Sequence, residues 1–298
     1  MADAVSEVNA LLIRRIGTQR DVLGESPVWD DALEALFWVD IRAPALRRYD
    51  WASQTVETRA MPDLVGSIAL ARPGRLLVAF GDRLALYDWN SGTFTAVASL
   101  PDKGLCFNDG RCDRQGRFWV GTMHNETRGP TGTLYRLDPN GLTAMRADVD
   151  IPNSLAWSPD GRRMYFADST RHTIECFDYD PASGTQSGGR IFTTLTKPGF
   201  ADGSTVDAEG FLWNAEFNAG RIVRYAPDGT IDRVVAMPMR CATSCGFGGP
   251  DMAQLFVTST SQRMTEAELA AQPMAGGLML LDVGVSGVPE PRWLGDRL

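Results

Sequence analysis

Short runs in which apolar and aromatic residues crowd together recur along the chain at a nearly constant interval. They are Ala35-Leu36-Phe37-Trp38-Val39, Leu76-Leu77-Val78-Ala79-Phe80, Arg117-Phe118-Trp119-Val120, Met164-Tyr165-Phe166-Ala167, Phe211-Leu212-Trp213-Asn214 and Leu255-Phe256-Val257-Thr258. Their composition favours strand. Most follow a turn signal: Pro73-Gly74, Gln115-Gly116, Asp160-Gly161, Glu209-Gly210, Pro250-Asp251, and a weaker Asp30-Asp31. The central residues Trp38, Leu77, Trp119, Tyr165, Trp213 and Phe256 are 39, 42, 46, 48 and 43 residues apart. A second strand-like run follows each centre, as in Leu46-Arg47-Arg48-Tyr49-Asp50, Leu84-Ala85-Leu86-Tyr87-Asp88, Thr133-Leu134-Tyr135-Arg136-Leu137 and Thr173-Ile174-Glu175-Cys176-Phe177. Six such units predict an all-β fold, a six-bladed β-propeller with four-stranded blades. The apolar residues 10–16 precede the first full unit and are expected to close the ring as the outer strand of the last blade. Helix signals are sparse. The best is residues 264–271, where Thr265 is followed three residues later by Glu268, the spacing of a capping box.

Length and composition narrow this further. A chain of 298 residues with 44% hydrophobic and 22% charged residues has a globular composition. No Pro/Gly/Ser-rich linker interrupts it, so residues 1–298 are expected to form one domain. Lys and Arg total 29 against 37 Asp and Glu, a net charge of −8. That balance argues against nucleic-acid and anionic-membrane partners, which require clustered positive charge. No apolar run reaches the roughly 18 residues of a membrane span. Residues 1–10 carry Asp3 and Glu7 without a basic start, so no secretory leader is expected and the reading is cytoplasmic. The five cysteines fit reduced thiols in that compartment, and two histidines leave little material for an imidazole-based metal site. No obligate protein partner is evident.

The repeat also predicts which polar residues meet. Counting back 11–13 residues from each centre, to where an innermost strand begins, gives Glu25, Gly66, Asn108, Asn153, Asp202 and Cys245. Residues at one phase of a propeller converge at one mouth of its channel. Four of these six carry side-chain oxygen. Carboxylates gathered in a confined channel repel one another unless a cation lies among them. An oxygen set without sulfur or imidazole suits a hard divalent ion such as Ca²⁺, Mg²⁺ or Mn²⁺. Taken singly, Asp202-Gly203, Asp109-Gly110, Asp160-Gly161 and Asp228-Gly229 read as turns; the shared phase singles out Asp202.

The stretches Leu23-Gly24-Glu25-Ser26-Pro27-Val28-Trp29, Phe107-Asn108-Asp109-Gly110, Gly121-Thr122-Met123, Pro152-Asn153-Ser154, Ala201-Asp202-Gly203-Ser204 and Phe247-Gly248-Gly249-Pro250-Asp251 resemble the motifs of the gluconolactonase or senescence-marker-protein (regucalcin-like) family of sugar-acid lactonases. The resemblance extends from about Leu23 to Trp293. It implies a six-bladed propeller holding one divalent metal through Glu25, Asn153 and Asp202, with Ca²⁺ first and Zn²⁺, Mn²⁺, Mg²⁺ or Fe²⁺ as alternatives. It also implies that Asn108 contacts the substrate or a water beside the ion, and that Glu126 meets a substrate hydroxyl. In many members an arginine stands two residues before the position of Asn108; here that residue is Cys106, a weak hydrogen-bond donor without fixed charge. Either Arg128 or Arg171 supplies the missing contact, or the substrate differs.

The function implied is hydrolysis of a small sugar lactone to its aldonic acid. The metal would polarise the carbonyl, and Asp202 would act as general base or orient the water. A Ser/His/Asp hydrolase is disfavoured, because there is no Gly-x-Ser-x-Gly elbow and His124 and His172 are the sole histidines. His124 precedes Glu126 in the mouth-facing loop and is a further candidate for substrate contact. His172 reads as structural, and Trp29, Trp38, Trp119, Trp157 and Trp213 as packing between blades. Cys241 and Cys245, four residues apart, match no redox or zinc motif. Two rival functions keep the same oxygen set: a calcium-dependent arylesterase or organophosphate hydrolase, and a non-catalytic calcium-binding regulatory propeller.

Overall fold

The computed structural model describes residues 12–100, 104–126 and 129–296. Residues 1–10, read above for a leader, the start of the predicted closing strand, and Arg128 lie outside the described residues. Among the described residues the chain forms six four-stranded antiparallel sheets arranged as a six-bladed propeller. Blades 1 to 5 run through residues 24–60, 65–99, 105–149, 152–194 and 200–236. Blade 6 takes three strands from residues 242–282 and its outer strand, Ile13–Ile16, from the other end of the chain. Ile13–Ile16 pairs antiparallel with Leu278–Asp282, so the ring is closed by hydrogen bonds between chain ends, as the sequence predicts. The helix forms at Glu266–Ala271, and Thr265 and Glu268 make the reciprocal capping box.

The core is divided among the seams between blades. One apolar cluster joins blades 1 and 2 through Phe37, Val65 and Trp89, and another joins blades 2 and 3 through Leu77, Phe107 and Phe118. Trp119 and Trp157 meet between blades 3 and 4, and Tyr165 and Tyr225 belong to the cluster between blades 4 and 5. The largest cluster packs Trp213, Phe256, Trp29 and Trp38 across blades 5, 6 and 1. Middle strands are therefore buried on both faces, which explains their near-continuous apolar runs. Outer strands face water on most positions, as Val56–Ala60 and Thr185–Thr194 do.

The tryptophans need partners for their indole N–H groups, and buried acids supply two of them. Trp38 Nε1 donates to Asp21 at 2.9 Å, and Trp213 Nε1 donates to Asp207 at 2.8 Å. The same carboxylates accept from Arg47 and Arg224 one strand further out. Each carboxylate, placed just outside its blade's inner strand, joins the middle and third strands and pairs both buried donors.

The C-terminal segment, residues 285–296, crosses the ends of the inner strands on one side of the ring. Gly287 bridges Asp207, Glu290 pairs with Arg111 at 2.8 Å, and Trp293 N donates to Leu70 O at 2.7 Å. Arg292 pairs with Asp30 and Asp296 with Arg75 at 2.7 Å. These contacts tie blades 1, 2, 3 and 5 together at the base. The inner strands all start at the opposite mouth, where the candidate site lies.

Candidate metal centre

Each inner strand breaks its ladder near its start. Register shifts fall between Glu25 and Val28, Val65 and Ser67, Phe107 and Gly110, Asn153 and Ala156, Ala201 and Ser204, and Ala242 and Cys245. A bulge re-aims a side chain that a regular pleat would send into a neighbouring sheet. Here it is repeated around the ring at the phase singled out from the sequence. Ser26 and Ser154, each following a candidate ligand, hold φ at 53° and 64°. Such left-handed backbone costs on the order of 1–3 kcal/mol for a residue with a Cβ and concentrates at functional sites.

The blades that add no ligand give room instead. A Cβ on Gly66 would lie 2.3 Å from Phe107 O, so blade 2 can approach Asn108 because this residue is glycine. In blade 6 the equivalent position is Ser244, not Cys245. Asp202 lies four residues before Val206, which pairs with Leu212 at the hairpin end; four before Gly248, which pairs with Gln254, is Ser244. Cys245 is fully buried, with Sγ 3.5 Å from Trp213 O, and serves the seam with blade 5.

Three carboxyl groups share the mouth. Glu25 and Asp202 come from blades 1 and 5, and Asp109, which the sequence suggested to be a turn residue, comes from the blade 3 bulge. Burial raises the Glu25 carboxyl well above its ordinary range, and the charges of Asp202 and Asp109 raise it further. Burial likewise raises Asp202 well above the usual range, with Asp109 adding to it. Asp109 is raised by burial and partly relieved by Arg111, and it accepts a bond from Leu155 N at 3.1 Å. Glu25 and Asp109 keep partial access to solvent along the channel, whereas Asp202 is 8% exposed. Two unit charges about 5 Å apart at an effective permittivity near 20 repel by roughly 3 kcal/mol. An anionic trio in this setting calls for protons or a cation.

The amides are oriented by their neighbours. Ser169 Oγ donates to Ala201 O at 2.6 Å, which leaves a lone pair to accept from Asn153 Nδ2 at 2.9 Å. Asn153 must therefore turn its Oδ1 away from Ser169, and that oxygen accepts from Asn108 Nδ2 at 3.3 Å. Asn108 Nδ2 also donates to Pro152 O at 2.9 Å. The side chain presented by blade 4 at this level is thus an oxygen donor. Ser169 carries no sequence signal that would have marked it, because it follows the second strand of blade 4.

These residues fit a hard divalent cation. Glu25 and Asp202 offer carboxylate oxygens whose mutual repulsion it would relieve, and Asn153 offers an oriented amide oxygen. Among the described residues no three His, Cys, Asp or Glu side chains gather in a metal-sized cluster. A Glu–Asn–Asp set contributes two such groups and one amide, so it is not of that kind.

The rim differs from the sequence expectation. Cys106 pairs in the ladder with Met123 and its thiol points to Met123 O at 3.5 Å. His124 Nδ1 accepts from Glu126 N at 3.2 Å, shaping the loop, and Glu126 is exposed. Arg171, a candidate replacement cation, pairs with Asp168 at 3.3 Å and reaches Asp148 O, so it serves its own blade. His172 stacks on Phe200 and bonds Gly199 O at 2.8 Å, a structural role. Among the described residues, a cation brought to the rim is Arg42, from the first blade, whose Nη1 donates to Asn125 Oδ1 at 3.0 Å. Its distance in sequence from blade 3 hid it.

Comparison with known proteins places this chain in a family. The profile of the SMP-30/Gluconolactonase/LRE-like region matches residues 23–261. Regucalcin of Gallus gallus is 36% identical over 293 residues, covering 95% of this chain and 98% of that protein. A 6-deoxy-6-sulfogluconolactonase of Pseudomonas putida is 34% identical over 282 residues, covering 93% of this chain and 97% of the relative. The crystal structure of a calcium-binding protein, regucalcin, from Agrobacterium tumefaciens superposes with a TM-score of 0.91 at 31% identity, covering 95% of this chain and 97% of the other. No helix among the described residues is long and apolar enough to cross a membrane.

Proposed function

The chain belongs to the SMP-30/Gluconolactonase/LRE-like family, and we propose that it is a metal-dependent lactonase that opens a sugar-acid lactone to the aldonic acid. The observation that carries this reading is the meeting of Glu25, Asp202 and an oriented Asn153 oxygen at one channel mouth, with Asn108 beside them. The relative named as a sulfogluconolactonase supports the reaction class, and the relative named as a calcium-binding protein supports Ca²⁺ as the ion. The proposed ligands are Glu25, Asn153 and Asp202. The five free thiols agree with work in a reducing cytoplasm.

When bound, the ion supplies Lewis-acid polarisation of the lactone carbonyl. Asp202 takes a proton from the water that adds to that carbon, and returns it to the ring oxygen as the C–O bond breaks. Its burial keeps it in place and away from bulk solvent. Asn108 orients the substrate or that water, held by its bond to Pro152 O. Asp109 and Glu25 resist ionisation while no cation is present, so their ionisation and cation binding favour one another. His124 ends its strand and Glu126 follows in the rim loop, where a sugar hydroxyl would pass.

A parallel assay of the metal-loaded protein on an aldonolactone, an aryl ester and a phosphotriester tests the reaction class. The proposal expects kcat/KM for the lactone to exceed the others by at least about tenfold. Equal or better turnover of the aryl ester or phosphotriester would assign the site to the esterase reading. Calcium binding without turnover of any of them would assign it to the regulatory one.

A further inference from the structure

One cation reaches across the mouth from a rigid base. Arg42 lies in the loop between strands Ala35–Asp40 and Ala45–Asp50 of blade 1. Asp40, fully buried, fixes that loop: its Oδ1 accepts from Arg42 N at 3.2 Å and Ala43 N at 3.0 Å. It also accepts from Val22 N at 2.8 Å and Leu23 N at 3.1 Å, tying the loop to the chain just before Glu25. The backbone of Arg42 is therefore preorganised, and the exposed side chain extends over blade 2 to Asn125. Asn125 separates His124, the end of the strand paired with Leu105, from Glu126.

The guanidinium has capacity to spare. Of its five N–H donors, one meets the neutral oxygen of Asn125, and among the described residues Arg42 forms no ion pair. One acid near Cys106, Asp63, pairs with Arg83 at 3.0 Å. Arg42 is close enough to Cys106 for its charge to favour the thiolate, opposing the burial that raises that thiol. Cys106 stands two residues before Asn108 on the same strand. The charged fork thus lies beside the inner strand of blade 3, close to the end that carries Asn108.

We infer that Arg42 is a specificity-determining residue, which binds an anionic group carried on the substrate away from the lactone carbonyl, of the phosphate, sulfonate or carboxylate class. The inference rests on the lactonase reading for the orientation of the ligand. A bidentate Arg–oxyanion contact combines charge with fixed geometry, which a lysine or a glutamine at position 42 would reproduce only in part or not at all.

Titration calorimetry of the metal-loaded protein with two ring-opened ligands, 6-phosphogluconate and gluconate, tests this without requiring turnover. The wild type is expected to bind the phosphorylated acid at least about tenfold more tightly, a ratio that falls with added salt. Arg42→Gln is expected to bring the ratio close to one, and Arg42→Lys to restore part of it. A wild-type ratio near one, or one unchanged in Arg42→Gln, overturns the inference. Turnover of gluconolactone and of 6-phosphogluconolactone is scored separately. Absence of turnover of both with the ratio intact defeats the lactonase reading and keeps the anion site; turnover with a ratio near one does the reverse.

Discussion

Asn153 Nδ2 donates to Ser169 Oγ at 2.9 Å, and this bond decides which end of the Asn153 amide faces the channel. Ser169 has already given its proton to Ala201 O, so the serine can act toward Asn153 solely as an acceptor. A hydroxyl that never touches the proposed ion thus determines the chemistry offered to it.

Ser169→Ala is accordingly predicted to keep the fold and weaken divalent-metal affinity about 10–100-fold, the usual effect of losing a partner that orients a ligand. Calorimetric titration of the metal into chelator-treated protein measures it. Unchanged affinity would mean that the Asn153 oxygen is not a ligand, or that its orientation is enforced elsewhere.

Asp202→Asn separates charge repulsion from function. In metal-free protein it removes one of the like charges that raise Glu25, so Tm is predicted to rise. The gain in Tm on adding metal should shrink, and lactone turnover should fall at least about 10³-fold with loss of the base and a ligand. Differential scanning with and without chelator checks both signs. A lower metal-free Tm would show that Asp202 is structural first.

Asp21 poses a contest between burial and pairing. Burial pushes its carboxyl up to about 6, although Arg47 and the Trp38 indole pull the other way. A folded-state value above the unfolded one means that the contribution is fully present below about pH 4. It is then lost as pH rises to about 6, by up to about 3 kcal/mol for a shift of this size. The stability of wild type minus that of Asp21→Asn, from urea unfolding, should therefore decrease by about that amount across this window. An increase would show that the Arg47 pair outweighs burial.

The basal strap makes a prediction about stability. Glu290 and Arg111 pair at 2.8 Å with 11% and 14% of their side chains exposed. Glu290→Gln leaves Arg111 without that anion beneath Asp109 and is predicted to cost about 1–3 kcal/mol. Denaturant unfolding measures it, and a loss within about 0.5 kcal/mol would mean that water or another acid replaces Glu290.

Much of this was legible in the sequence, for identifiable reasons. The six aromatic centres mark buried middle strands, and turn residues before them set the period, so blade number and ring closure could be read directly. The phase of Glu25, Asn108, Asn153 and Asp202 was legible because all inner strands run the same way from the mouth. Counting went astray at Cys245, since Phe256 stands one place deeper in its hairpin than Trp213 does in its own. Asp109 was hidden because an Asp-Gly pair inside a bulge has the composition of a turn. Arg42 was hidden for another reason: its partner, Asn125, is 83 residues away, and no local pattern reports a reach over an intervening blade.

The central claim is that the oxygen cluster at the mouth holds a divalent ion that lactone opening requires. Its most direct test strips the protein with chelator, verifies metal content, restores Ca²⁺, Mn²⁺, Mg²⁺ or Zn²⁺ singly, and follows acid release from an aldonolactone. Release at the spontaneous rate is expected in the stripped protein, with recovery on adding at least one ion. Full activity in verified metal-free protein, or no recovery with any ion in protein that remains folded, would contradict it.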